Sequence, residues 1–184
     1  MKLDRVALAA DHIAAGRIIL RPLRRTDAAL IAVHAGDARV ACGTRAVPHP
    51  LPPGAAEAIV EQALSGKGDE AIWAMDGAAS GLAGVLGLIS LKPMDRGQSE
   101  VSYWVAPAFW NTGFASDALS ALVAANPQGN CTLFAEVFQD NPGSAKVLSH
   151  CGFAYLGDAE AFSVARRALV PTWTYICKLD RGGT

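Results

Sequence analysis

The chain has 184 residues, of which 51% are hydrophobic and 18% charged, and its formal net charge is -1. That length suits one domain with one core, since single domains cluster at roughly 100 to 200 residues. The longest apolar run, 82–91 (LAGVLGLISL), is shorter than the ~20 residues a membrane span needs, and the balanced charge leaves no basic excess for a row of phosphates. No membrane and no nucleic-acid partner is expected.

Residues 1–16 place Asp4 and Asp11 among apolar positions, unlike the unbroken apolar segment of a secretory signal. They read as a loose N-terminal arm ahead of a cytoplasmic single domain over 17–180. Residues 17–23 (RIILRPL) read as a strand ending near Pro22, and Thr26 or Asp27 as the N-cap of a helix through about His34. After the proline-rich loop 47–53, residues 55–64 space Ile59, Val60, Ala63 and Leu64 as an amphipathic helix that Gly66 and Gly68 end. Strands are predicted at 71–75, 82–91 and 99–105, joined by turn-rich segments into an antiparallel meander. Pro107 breaks the last of these, and Gly113 opens a helix to about Ala125 with Phe114, Ala118, Leu119, Leu122 and Val123 on one face. A strand follows at 131–138, then a helix with Asn141 as N-cap, Pro142 at its first position and Gly152 at its end. Strands near 153–157 and 173–179 close the chain, with 162–167 unassigned between strand and loop. This order implies an α/β fold, a mixed sheet flanked by helices, with one parallel crossover within 99–138.

Two segments carry the chemistry. In 103–119 (YWVAPAFWNTGFASDAL) a strand exits through a proline into a loop and a glycine at a helix start. Such a start offers unpaired N–H groups and the positive end of the helix dipole, enough to hold a pyrophosphate without basic side chains. A glycine there also serves as ordinary loop punctuation, and the segment matches neither GxxxxGK[ST] nor GxGxxG. The second segment, 141–153, reads NPGSAKVLSHCGF.

Together these segments resemble the GNAT superfamily of N-acetyltransferases, and within it the RimJ/RimL-like branch. The family's coenzyme motif (Q/R)xxGx(G/A) is met by Trp110 to Ala115, with Gly113 and Ala115 in the small positions, and NxxSxxVLxxxGF by Asn141, Ser144, Val147, Leu148, Gly152 and Phe153. The likeness runs from RIILRPLRRTDA to WTYICKL. It implies a GNAT-like fold and direct transfer of an acetyl group from acetyl-CoA to a primary amine of a protein N-terminus or small molecule. Trp110 replaces the usual Gln or Arg, and Asn111 and Thr112 stand where Gly and Lys often sit, so one positive charge near the phosphates is lost. Coenzyme binding is therefore expected to rest on Trp110, Asn111, Thr112, Gly113, Phe114, Ala115 and Ser116, with main-chain groups near Val105 pairing with the pantetheine amides and stabilising the oxyanion. The motif adds Asn141, and Lys146 either reaches the 3′-phosphate or is a solvated helix lysine.

The acceptor amine must be neutral to attack, although a lysine amine has a reference pKa near ~10.4 and an α-amine near ~8. Glu100, on one face of its strand with Ser102 and Trp104, is the candidate base or water-ordering carboxylate; the alternative is a solvated or salt-bridged side chain. Leu148 stands where many relatives carry a thiolate-protonating tyrosine, so the resemblance offers Ser144 as the acid, with a helix-capping hydroxyl as the alternative. His49 and Trp73 either line the acceptor pocket or are a loop histidine and a core tryptophan. No GxSxG elbow supports a hydrolase triad. Cys131, Cys151 and Cys177 lie in apolar patterns, against a thiol relay, and widely spaced cysteines and histidines predict no metal site. Rival readings are a noncatalytic acyl-CoA-binding or regulatory module and an acyltransferase that uses another acyl-CoA, in either case as monomer or homodimer.

Overall fold

A computed structural model describes residues 12–179. Its strands are β1 (Ile13–Ala15), β2 (Ile18–Pro22), β3 (Ala71–Asp76), β4 (Val85–Met94), β5 (Gln98–Val105), β6 (Thr132–Phe138), β7 (Ala154–Ser163) and β8 (Ala168–Lys178). They form one sheet in the order β1-β2-β3-β4-β5-β6-β8-β7, antiparallel throughout except for β5 beside β6. Five helices accompany it: α1 (Ala28–Ala35), α2 (Ala38–Cys42), α3 (Ala55–Ser65), α4 (Phe114–Ala125) and α5 (Pro142–His150).

Strand alternation divides the interior in two, because neighbouring residues point to opposite faces. Trp73 packs with Ile89, Val101, Leu119, Leu122 and Leu148 under α4 and α5, whereas Ala74 packs with Ile31, Val60, Val85 and Leu88 under α1 and α3. Each large aliphatic side chain fully withdrawn from water contributes about 1.5 to 3 kcal/mol, and Leu119, Leu122 and Leu148 are all 0% exposed. Helix α5 is closed at both ends. The Asn141 side chain accepts the Ser144 N–H at 3.3 Å, and at the other end Gly152 has φ +86° while Phe153 N–H donates to Leu148 O. That double turn needs a left-handed residue, which a glycine supplies without steric cost.

The meander over β3, β4 and β5 and the parallel crossover through α4 follow the sequence expectation. Other details differ. Ile13–Ala15, within the expected arm, pair with β2, while residues 1–11 lie outside the described residues. The five-residue α2 is too short to show a helical period. Residues 25–27 form a 3-10 turn, and the Asp27 carboxylate bonds Arg24 N–H and the buried Arg21 rather than capping α1. The expected strands at 153–157 and 173–179 are parts of one long hairpin that turns after Ser163, and β7 is exposed on both faces, so it shows no alternation.

Candidate active site

The site begins where the parallel pairing ends. Strands β5 and β6 are joined only from Gln98 to Glu100 and from Thr132 to Phe134, and beyond that no further rung links them. In the gap lies a cleft of roughly 70 Å³ walled by Arg45, Ser102, Tyr103, Glu136, Ser144 and Thr172, among others. Ser144 reaches it from the first turn of α5. Its N–H is held by Asn141, its carbonyl accepts the Tyr103 hydroxyl at 3.0 Å, and its own hydroxyl has no hydrogen-bond partner among the described residues. The capping role weighed for Ser144 thus belongs to Asn141. Burial pushes the Tyr103 phenol well above its ordinary range, so it remains a proton donor tying β5 to α5.

Glu100 stands at the last rung of the β5–β6 ladder and is half-buried. It is not itself part of the cleft wall. Its Oε1 ion-pairs with Arg45, whose other terminal nitrogen donates to Glu136 Oε2 at 2.7 Å. The opposite Glu136 oxygen accepts Thr172 Oγ1 at 2.6 Å. Sequence reading missed Arg45, Glu136 and Tyr103. Only Glu136 left a trace, as a carboxylate inside an otherwise apolar strand.

The loop expected to hold the coenzyme follows the C-terminal end of β5, a few residues past the cleft. Asn111 has φ +59° and Gly113 φ +88°, and this turn delivers the chain to α4. No acceptor among the described residues takes the N–H groups of 111–116; the first N–H of α4 to find one is that of Asp117, bonded to Gly113 O at 2.9 Å. Six consecutive free donors at a helix start are what an anion requires. Positive charge is nearer than the sequence implied. Arg17 lies 4.5 Å above the Phe114 ring centroid, donates to Thr112 O at 2.7 Å and pairs with Asp117.

The remaining expected residues divide. Trp110 is 45% exposed, and its indole N–H donates to Val105 O at 2.7 Å, so that carbonyl is already engaged, contrary to the expectation that it is left for an amide. The Phe114 side chain is core and Ala115 packs against that core, so these positions offer only main chain. Ser116 is half-buried, its carbonyl accepting the Cys151 thiol. Thr112 turns its hydroxyl onto Phe109 O. Lys146 is exposed with no ion pair among the described residues. Trp73 is 1% exposed in the core, and exposed His49 lies beside Leu51 and Glu57 on a groove that shares no lining residue with the cleft. The loop between α2 and α3 touches the cleft through Gly43, Thr44 and Arg45, upstream of His49. Burial raises the thiols of Cys151 and Cys177, which suits packing better than nucleophilic attack. No group of metal-ligating side chains occurs among the described residues, and no helix among them is long and apolar enough to cross a membrane.

Solved structures share this architecture. The chain superposes on the microcin C7 self-immunity acetyltransferase MccE, solved with acetyl-CoA and AMP, with TM-score 0.78 and 14% identity over 95% of this chain and 99% of that one. Spermidine N-acetyltransferase from Vibrio cholerae, solved with CoA and spermine, gives 0.74 at 16% identity, covering 90% and 97%. Mycobacterium smegmatis RimJ, in complex with CoA-disulfide, gives 0.74 at 18% identity, covering 95% and 90%. At these identities the likeness establishes the fold. No curated protein matches the sequence. The family model described as an acetyltransferase (GNAT) domain matches residues 17–154, three quarters of the chain, and the protein therefore belongs to the GNAT acetyltransferase family.

Proposed function

We propose that the protein transfers the acetyl group of acetyl-CoA directly to a primary amine of a protein N-terminus or small molecule, in the cytoplasm and through a single domain that takes in β1 as well as the expected span 17–180. The observation that carries this reading is the pairing of two features along the C-terminal half of β5 and just past it: a cleft beside Val101 to Tyr103 that holds a Ser144 hydroxyl without a partner among the described residues, and six free N–H donors over 111–116. Acetyl-CoA supplies the acetyl group. The N–H groups of 111–116, with Arg17 close by, hold its pyrophosphate, and Lys146 stands near enough to solvent to meet the 3′-phosphate.

At the cleft the new C–N bond forms as the C–S bond breaks. Glu100 has one carboxylate oxygen committed to Arg45 and the other, Oε2, without a protein partner among the described residues, so Oε2 takes the ammonium proton, directly or through one water. As the C–N bond forms the nitrogen sheds its second proton to water, the Ser144 hydroxyl gives its own proton to the coenzyme thiolate, and Ser144 recovers one from that water. A thiol of this kind has a reference pKa near ~8.5, so the leaving group departs tolerably unaided, and Ser144→Ala is expected to lower turnover by about ten-fold to a hundred-fold. Acetyl-CoA affinity should change little. Thiol release from acetyl-CoA across a panel of amines and short peptides tests the reading, with Ser144→Ala and Glu100→Gln measured on the first acceptor found. Saturable acetyl-CoA binding without thiol release on any amine would make the protein a binding module. A fully active Ser144→Ala would remove the acid.

A further inference from the structure

Glu100 sits on a strand that loses its neighbour one residue later, and a glutamate side chain with three rotatable bonds has no fixed position there by itself. Its cross-strand neighbour on β4, Lys92, is committed to Asp69 at 3.1 Å. What fixes Glu100 is a chain of polar contacts that crosses the gap between β5 and β6. Thr172, 0% exposed on β8, donates to Glu136 Oε1; Glu136 Oε2 accepts one Arg45 nitrogen; and a second Arg45 nitrogen holds Glu100 Oε1. The loop bearing Arg45 is itself tied down, since Arg45 O accepts Val164 N–H at 2.9 Å and Cys42 O accepts two nitrogens of Arg166.

The two glutamates are not equivalent. Glu136 spends both oxygens on Thr172 and Arg45, whereas Glu100 spends one and keeps Oε2 free among the described residues. Glu136 is built as an anchor and Glu100 as the group that acts. A guanidinium suits the task between them: it is planar, always charged, and bonds two carboxylates from separate nitrogens, which an ammonium on a flexible stem cannot do with fixed geometry.

We propose that Arg45 is a positioning residue for acetyl transfer, holding Glu100 beside the cleft, next to its lining residue Val101, by anchoring it across the diverging strands to Glu136 and Thr172. The role depends on the reading of Glu100 as the carboxylate that takes the amine proton. Misplacing a reacting group by about 1 Å costs on the order of a hundred-fold. Arg45→Met should therefore lower kcat by roughly ten-fold to a hundred-fold while leaving acetyl-CoA Kd within about two-fold, because Arg45 has no contact with the 111–116 donors, which follow Val105 beyond the cleft. Arg45→Lys keeps the charge but not the two-armed geometry and should recover part of the loss. Glu136→Gln should lose less than Arg45→Met, since the amide still accepts from one donor.

The decisive measurement is a double-mutant cycle on kcat with Glu100→Gln. If Arg45 acts through Glu100, adding Arg45→Met to Glu100→Gln changes kcat by less than about two-fold, whereas independent roles give losses that multiply. Multiplying losses, or a fully active Arg45→Met beside an impaired Glu100→Gln, overturn the clamp and leave the base in place. If both single variants are fully active, the reading of Glu100 falls together with the clamp. Should Arg45→Met fail to fold, Arg45→Lys and Glu136→Gln carry the same cycle, and a full-activity pair there overturns the proposal equally.

Discussion

Substitution at Gly113 separates the backbone of the coenzyme loop from its electrostatics. With φ at +88°, any residue with a Cβ is held in a left-handed conformation that costs roughly 1 to 2 kcal/mol. The added Cβ meets Arg17 Nη2 at 3.0 Å, the end of a long side chain that is 52% exposed and can shift by a few tenths of an ångström. Gly113→Ala and Gly113→Glu therefore share one stability loss. In a domain of this size about 1 kcal/mol lowers Tm by roughly 2 to 4 °C, so both variants should melt about 2 to 8 °C below the wild type. They differ in charge. A carboxylate about 5 Å from one phosphate charge is repelled by about 3 kcal/mol at an effective dielectric constant of about 20, which is on the order of a hundred-fold in Kd. Titration calorimetry with acetyl-CoA, run beside thermal melts, should show Gly113→Ala binding within about ten-fold of wild type and Gly113→Glu weaker by a further hundred-fold or so. Equal affinities for the two variants would refute the assignment of the 111–116 donors to an anion.

The buried Arg21, 4% exposed, joins Asp27 and Asp76, and Arg21→Met should cost about 3 to 5 kcal/mol in urea denaturation because two carboxylates lose their counter-charge. The same cluster gives an acid limb. Burial pushes the Asp76 carboxyl up, but Arg21 and the Ala78 N–H outweigh it and hold it below its ordinary value. Its stabilisation is therefore present above the unfolded pKa near ~3.9 and is lost as pH falls through the lower folded value, a loss that Arg21→Met should shrink in urea midpoints between about pH 5 and pH 2. Asn141→Ala removes the side chain that holds Ser144 N–H and should cost about 1 kcal/mol by the same denaturation assay.

Much of this architecture was legible because local patterns wrote it. Helix α4 shows its period in Phe114, Ala118, Leu119 and Leu122, all buried, and α5 shows both ends in Asn141 and Gly152. The loop with free donors was legible as a glycine before a helix. Illegible were the elements without a period: the three-residue β1, the five-residue α2, and β7, whose two exposed faces give no alternation. Contacts between distant segments were equally hidden. Arg45 meets Glu100 across 55 residues and Glu136 across 91, and Arg17 meets the coenzyme loop across 95, distances at which no motif operates. His49 and Trp73 were offered by the family resemblance, and a resemblance does not say whether a given side chain faces a cleft or the core.

These distant contacts converge where the sheet needs them. A parallel pair that stops after three rungs leaves main-chain groups of two strands without partners, and water or a ligand must satisfy them. The residues flanking the gap answer that exposure with polar side chains from four elements: Glu100 and Tyr103 on β5, Glu136 on β6, Ser144 on α5 and Thr172 on β8. Arg45, from the loop before α3, then ties the two walls together by charge at the point where main-chain hydrogen bonds no longer do. On the proposed reading, the opening that costs the sheet its ladder is the one that admits a substrate, and the ion pairs that bridge it are the ones that orient Glu100.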